Sequence, residues 1–223
     1  MYVMDSLLAH IAPFTCIACE TEGSLLCRNC VSLLGERLPS RCFRCLSPAD
    51  HFLVCADCSA TTSVRCVAAH YDYKGYAKQL VQAFKFQGKR GAAKEVAALM
   101  TARIPAGAVL VHVPTATTRV RERGYDHAKL LAQEVSRLKR VPHLTLLARQ
   151  TQVRQVGADK KERVNRIAGA FRVINSVQGA HIILIDDVVT TGATLSEAAS
   201  VLMRAGARCV DALVFAATPP NYP

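Results

Sequence analysis

HIILIDDVVTTGATL, residues His181–Leu195, decides the fold of this chain. A run of apolar, mostly β-branched residues ends in two adjacent carboxylates, Asp186 and Asp187, and a small polar turn then leads into a helical pattern. Apolar runs without alternation belong to strands buried on both faces, as in parallel sheets. Carboxylates at the end of such a strand accept hydrogen bonds from vicinal hydroxyls. Thr190, Thr191, Gly192, Ala193 and Thr194 offer hydroxyls and closely approachable backbone N–H groups at a helix N-terminus, a means of binding phosphate without lysine. The fragment reads as a pocket for a ribose carrying a 5′-phosphate. A nucleotide-hydrolysing strand with paired Asp is the main competitor, but its GxxxxGK[ST] partner is missing, and the Gly88-Lys89 pair is followed by Arg90. An ordinary strand–turn–helix connection explains an N-capping Thr194 but not the acidic pair.

Outward from this segment, strands and helices alternate from residue 64 onward. Strands are expected at Val64–Tyr71, Val109–Val113, His143–Leu147, His181–Ile185 and Cys209–Ala216, and helices at Tyr76–Phe86, Ala92–Arg103, Asp126–Arg140 and Leu195–Ala205. Alternation of this kind implies an α/β body, a mostly parallel sheet flanked by helices, with ligands at the carboxyl ends of its strands.

The first third of the chain is different. Nine of the ten cysteines precede residue 67, and eight form four Cys-x-x-Cys pairs: Cys16/Cys19, Cys27/Cys30, Cys42/Cys45 and Cys55/Cys58. Each pair presents two thiolates to one tetrahedral ion, and two pairs complete a four-sulfur zinc site, so two structural Zn2+ sites are expected. A redox Cys-x-x-Cys comes once, not four times, and disulfides do not suit a chain read as cytoplasmic. Sequential and interleaved pairing are both open to the sequence. The expected division is a double zinc ribbon at 1–62 and an α/β domain at 63–223. Cys66 and Cys209, in apolar runs, read as small core residues.

Charge is divided in the same way. Against 28 Lys+Arg and 17 Asp+Glu overall, a net +11, residues 1–66 hold 5 basic and 6 acidic residues, so the positive excess lies in the body. Such a field concentrates polyanions, whether nucleic acid or a phosphorylated small molecule. No stretch approaches the ~20 apolar residues of a membrane span. The start, MYVMDSLLAHIAPF, carries Asp5 and lacks a basic lead, and reads as a short amphipathic helix rather than a signal peptide.

The segment Asp186–Thr194 resembles the phosphoribosyl pyrophosphate (PRPP) signature of type I phosphoribosyltransferases. The chain as a whole resembles the ComF/GntX group: a cysteine-paired head, FKFQGKR at Phe84–Arg90, RERGYDHA at Arg121–Ala128, then the signature strand. Members of that group carry RxRGFNQ at the third element, where Tyr125, Asp126 and His127 here replace Phe, Asn and Gln.

The resemblance implies Mg2+-dependent handling of PRPP, with the phosphoribosyl group passed to an unidentified acceptor and pyrophosphate released, the work of a pentosyl glycosyltransferase. Asp186 and Asp187 are then expected to hold the ribose hydroxyls and Thr190–Thr194 the 5′-phosphate. The turn at Pro114, Thr115 and Ala116, with Arg123, is expected at the diphosphate. The basic stretch Arg149–Ala170 is expected to close as a lid. His127 is near the Arg cluster and able to act on a proton, although such a histidine is more often a surface residue. Lys85 and Lys89 read as solvated, and His112 as a satisfied core residue. The same resemblance implies a link to competence and DNA uptake. That fits a non-catalytic alternative, a PRPP sensor whose ribbons and basic face engage single-stranded nucleic acid or competence proteins.

Overall fold

The computed structural model describes residues 14–86, 91–100, 103–150 and 169–218. The amphipathic start, Lys89 and most of the expected lid lie outside the described residues.

Four strands form one parallel sheet. They are β1 (Cys66–Asp72), β2 (Ala108–His112), β5 (His181–Val189) and β6 (Cys209–Ala217), in the order β1-β6-β5-β2. Each reads as a nearly unbroken apolar run because helices cover both faces. One face packs under α2 (Gly75–Phe86), α3 (Ala92–Leu99) and α5 (His127–Lys139); the other packs under α6 (Ala193–Arg204). The helices bury stripes at helical spacing: Ala77, Leu80, Val81 and Phe84 on α2; Ala128, Leu131, Ala132 and Val135 on α5; Leu195, Ala198, Ala199 and Leu202 on α6.

Three local expectations are revised. Strand β5 does not stop at Ile185 but runs through the acidic pair to Val189, because Val188 and Val189 pair with Ala216 and Ala217 of β6. The expected strand at His143–Leu147 touches the sheet only at His143, bridged to Leu110. The chain then leaves it, and β3 (Leu147–Arg149) pairs antiparallel with β4 (Phe171–Val173). Burial of Leu146, Leu147 and Phe171 against the α6 side of the sheet favours that small ribbon. No helix is expected between Val113 and Asp126, yet Thr117–Arg123 forms α4, closed by Gly124 in the left-handed conformation at φ 76°.

The cysteine-rich head is built twice on one plan. A bridge between Thr15 and Glu22 closes the first Cys-x-x-Cys turn, and one between Arg41 and Pro48 closes the third, with Glu20 and Leu46 both at positive φ. The head is fixed to the body along β1, where Leu53 bridges Cys66 and Leu38 N–H donates to His70 O at 2.9 Å. It is also held by Glu95 of α3, whose two carboxylate oxygens each accept a backbone N–H, from Leu25 and Leu26, at 2.9 Å. Cys16, Leu25, Leu26, Cys30 and Leu34 share one buried cluster with α2, α3 and the sheet. A one-turn helix, α1 (Ala56–Ser59), closes the second ribbon.

Candidate functional site

Strand β5 delivers Asp186 and Asp187 at the carboxyl edge of the sheet. Asp187 is 2% exposed and Asp186 is half-buried, its Oδ1 accepting the Asp187 N–H at 2.9 Å. After Val189 the chain makes a short turn, exposed at Thr190 and Thr191 and half-buried at Ala193 and Thr194. Gly192 sits at φ 73°, the left-handed region glycine enters without strain, and caps α6. Ala193 N–H is held by Thr191 Oγ1 at 3.3 Å.

The second wall is the turn after β2. Asp126 organises it: its carboxylate accepts Thr115 N–H at 3.2 Å and Thr115 Oγ1–H at 3.0 Å, and it caps α5 by accepting Lys129 N–H at 3.2 Å. Carboxylates are preferred at this capping position because they answer N–H groups left open by the first helical turn. Arg123 Nη1 donates to His127 Nδ1 at 3.0 Å, and Thr115 Oγ1 lies 3.3 Å from the same nitrogen. Guanidinium only donates, so His127 Nδ1 is the acceptor and its Nε2 carries the proton. That Nε2 faces Asp187 Oδ2 at 3.8 Å.

The eight paired cysteines converge as two groups of four, Cys16, Cys19, Cys27 and Cys30, and Cys42, Cys45, Cys55 and Cys58, the sulfurs of each lying within 4.8 Å of one another. Pairing is therefore sequential. Cys19 and Cys27 Sγ are 3.7 Å apart and Cys45 and Cys55 Sγ 3.5 Å. Two thiolates bound tetrahedrally at about 2.3 Å from one zinc ion would be about 3.8 Å apart. A disulfide would bring sulfurs to about 2.05 Å. The two clusters fit a double zinc ribbon.

Residues 103–222 match the phosphoribosyl transferase domain family. This chain belongs to that family. It is 31% identical over 193 residues to competence protein ComFC of Bacillus subtilis (strain 168), covering 81% of this chain and 79% of that protein. To DNA utilization protein YhgH of Salmonella typhi it is 28% identical over 216 residues, covering 89% and 95%. With its cysteine-paired head it is a ComF-like member. Among solved structures it is similar to glutamine phosphoribosylpyrophosphate amidotransferase from B. subtilis, at a TM-score of 0.41 and 16% identity. That match covers 60% of this chain and 30% of the other.

In this phosphoribosyl transferase domain the structure brings together Asp186, Asp187, Arg123 and Thr115, with the Thr190–Thr194 loop following on the same strand. It also adds groups that sequence reasoning passed over. Lys85, read as solvated, is only 20% exposed in its side chain. Its Nζ lies 2.6 Å from the buried Asp187 Oδ2. His127, open to both a proton-handling and a surface role in the sequence, is 6% exposed and bridges the Thr115 turn to the acidic pair. Arg149, assigned with the lid, donates to Pro114 O at 3.4 Å and stacks on Phe171. For Lys85, the FKFQGKR motif was the available signal, but nothing local says where a lysine at the end of a helix points. His112 behaves as expected, buried and 3.0 Å from His143 through Nδ1.

Electrostatics separates the two carboxylates. Burial and then the neighbouring Asp187 charge push Asp186 well above the ordinary carboxylate range. Burial would raise Asp187 too, but Lys85 and His127 outweigh it and hold that carboxyl below its usual value. Burial lowers the His127 pKa, assisted by Lys85 and Arg123 and opposed by Asp187. The site thus pairs one ionised carboxylate with one that holds its proton readily, a division typical of functional pairs.

Proposed function

We propose that this chain binds PRPP as its Mg2+ complex at the carboxyl ends of β2 and β5, and transfers the phosphoribosyl group to an unidentified acceptor with release of pyrophosphate. The observation that carries the reading is half-buried Asp186 near the carboxyl end of β5, beside a charge-balanced Asp187 and ahead of a turn that ends on left-handed Gly192. Asp186 and Asp187 hold the ribose hydroxyls, and Thr190–Thr194 take the 5′-phosphate on hydroxyls and N–H groups. The Thr115 turn and Arg123 face the diphosphate, where guanidinium suits phosphate oxygens.

The bond from the anomeric carbon to the pyrophosphate oxygen breaks, its electron pair leaving on pyrophosphate. A lone pair of the acceptor forms the new bond, and the proton on the attacking atom is lost to solvent. Positive charge on the sugar is greatest between those events, so an ionised Asp187 nearby and cations at the leaving group lower the barrier by position and field. The two cysteine clusters hold Zn2+ as structural ions, and the protein works in the cytoplasm, where thiolates stay reduced.

Pyrophosphate release from Mg2+·PRPP across a library of bases and amines tests the reading. Turnover abolished by Asp186→Asn, which leaves the Lys85–Asp187 pair in place, supports it. Calorimetry detecting no binding of Mg2+·PRPP to wild type at millimolar concentration rejects it. A second reading is favoured by the names of the relatives and the basic body: a non-catalytic PRPP-responsive protein that engages single-stranded nucleic acid or competence proteins. Saturable PRPP binding without turnover selects it. Nucleic-acid affinity that falls steeply with salt and ignores Asp186→Asn maps that contact outside the pocket.

A further inference from the structure

The second ribbon does not hang free of the sugar-phosphate site. Phe43 stands between two cluster residues, Cys42 and Cys45, and its ring lies directly over Gly192, so that a Cβ at position 192 would collide with it. Val189, Thr190 and Phe43 line one small cavity between ribbon and sheet, together with Leu38, Phe52 and Ala217. Thr62, just after the second ribbon, makes an independent link: its Oγ1 is 2.9 Å from Ser196 Oγ in the first turn of α6. One side of the Thr190–Thr194 loop is therefore built by the head rather than by the transferase body.

We propose that Phe43 is a positioning residue that couples the second cysteine cluster to the phosphate loop, so that filling the cluster orders the loop for a phosphate monoester. The inference rests on the reading of Thr190–Thr194 given above. A loop whose glycine adopts positive φ has many conformations open to it, and the aromatic ring excludes those in which Gly192 moves outward. The ring is itself held by the Cys42–Cys45 turn, whose geometry depends on four thiolates sharing one ion. Coupling of this kind is reciprocal, so a bound monoester slows metal loss from the second cluster by the factor by which the metal tightens monoester binding.

The test uses the full-length, zinc-loaded protein and follows amide exchange of residues 190–196 by mass spectrometry. The variants are Phe43→Ala, Phe43→Leu, Cys45→Ser in the second cluster and Cys19→Ser in the first. Exchange at 190–196 accelerates about tenfold in Phe43→Ala and Cys45→Ser, stays near wild type in Phe43→Leu, and is unmoved by Cys19→Ser. Calorimetry with Mg2+·PRPP shows a matching loss of about tenfold in Phe43→Ala at unchanged zinc content. Unchanged exchange at 190–196 in Phe43→Ala overturns the coupling. So does equal acceleration in α5, which marks general loosening. If wild type binds no PRPP, the functional reading fails while the exchange result still decides the coupling. If a cysteine variant does not fold, the comparison of Phe43→Ala with Phe43→Leu decides it.

Discussion

Lys85 Nζ and Asp187 Oδ2 form a 2.6 Å ion pair joining the end of α2 to the end of β5, with the carboxylate 2% and the lysine side chain 20% exposed. The pair ties the FKFQGKR motif to the acidic signature across more than a hundred residues of chain.

Removing the lysine strips a buried carboxylate of the cation 2.6 Å from it. Lys85→Met is expected to lose about 3 kcal/mol of stability at neutral pH, read by urea unfolding. Asp187 has a folded pKa below its unfolded value, so its contribution is present above the ordinary carboxylate range and lost as pH falls through the lowered value. The difference between variant and wild type should therefore shrink on acidification. A constant difference down to acid pH would mean that the lysine acts by packing alone.

Asp186 has the opposite sign. Its folded pKa is raised by burial and by Asp187, so it favours folding below the unfolded value and opposes it as pH climbs through the folded one. Asp186→Asn is expected to raise the thermal midpoint by about 3 °C at neutral pH and to give no gain in acid, while abolishing PRPP binding. A midpoint that falls at neutral pH contradicts this assignment.

Asp126 serves two elements with one carboxylate, capping α5 and holding the Thr115 turn. Asp126→Ala is expected to lose about 1 kcal/mol from the cap and to weaken Mg2+·PRPP binding through the turn. Asp126→Asn keeps a capping oxygen, retains most of the stability and weakens binding less. Equal losses of affinity in the two variants would show that the negative charge, not the hydrogen bonds, organises the turn.

Chelation should not spare the body. Leu25, Leu26 and Leu34 of the head share a buried cluster with Leu80, Phe84 and Val96 of α2 and α3, and Glu95 clasps the Leu25–Leu26 backbone. Stripping the metal is expected to expose α2 and α3, as well as the cysteine-rich segment, to limited proteolysis. Cleavage confined to the first 62 residues would mean that the shared cluster survives on the body side alone.

Much of this arrangement is legible in the chain. The unbroken apolar run Ile182–Ile185 ending in Asp186 and Asp187 is enough to name a buried parallel strand and its polar turn, because burial on both faces forbids alternation. Four Cys-x-x-Cys pairs are enough for two tetrahedral clusters, because the spacing itself brings each pair of sulfurs onto one ion. The basic bias of the body follows from composition.

Only the folded chain decided the rest. Which pairs share a cluster is set by contacts between knuckles, such as Ile17 N–H donating to Leu25 O at 2.9 Å and Cys27 N–H to Cys16 Sγ at 3.5 Å, and spacing does not encode it. Lys85, His127 and Phe43 reach the site from α2, α5 and the second ribbon, elements remote from β5 in sequence. Local patterns record which face of an element is apolar. They do not record which distant charge or ring the packing of two elements will bring against it, since that is fixed by contacts between segments that carry no mutual signature.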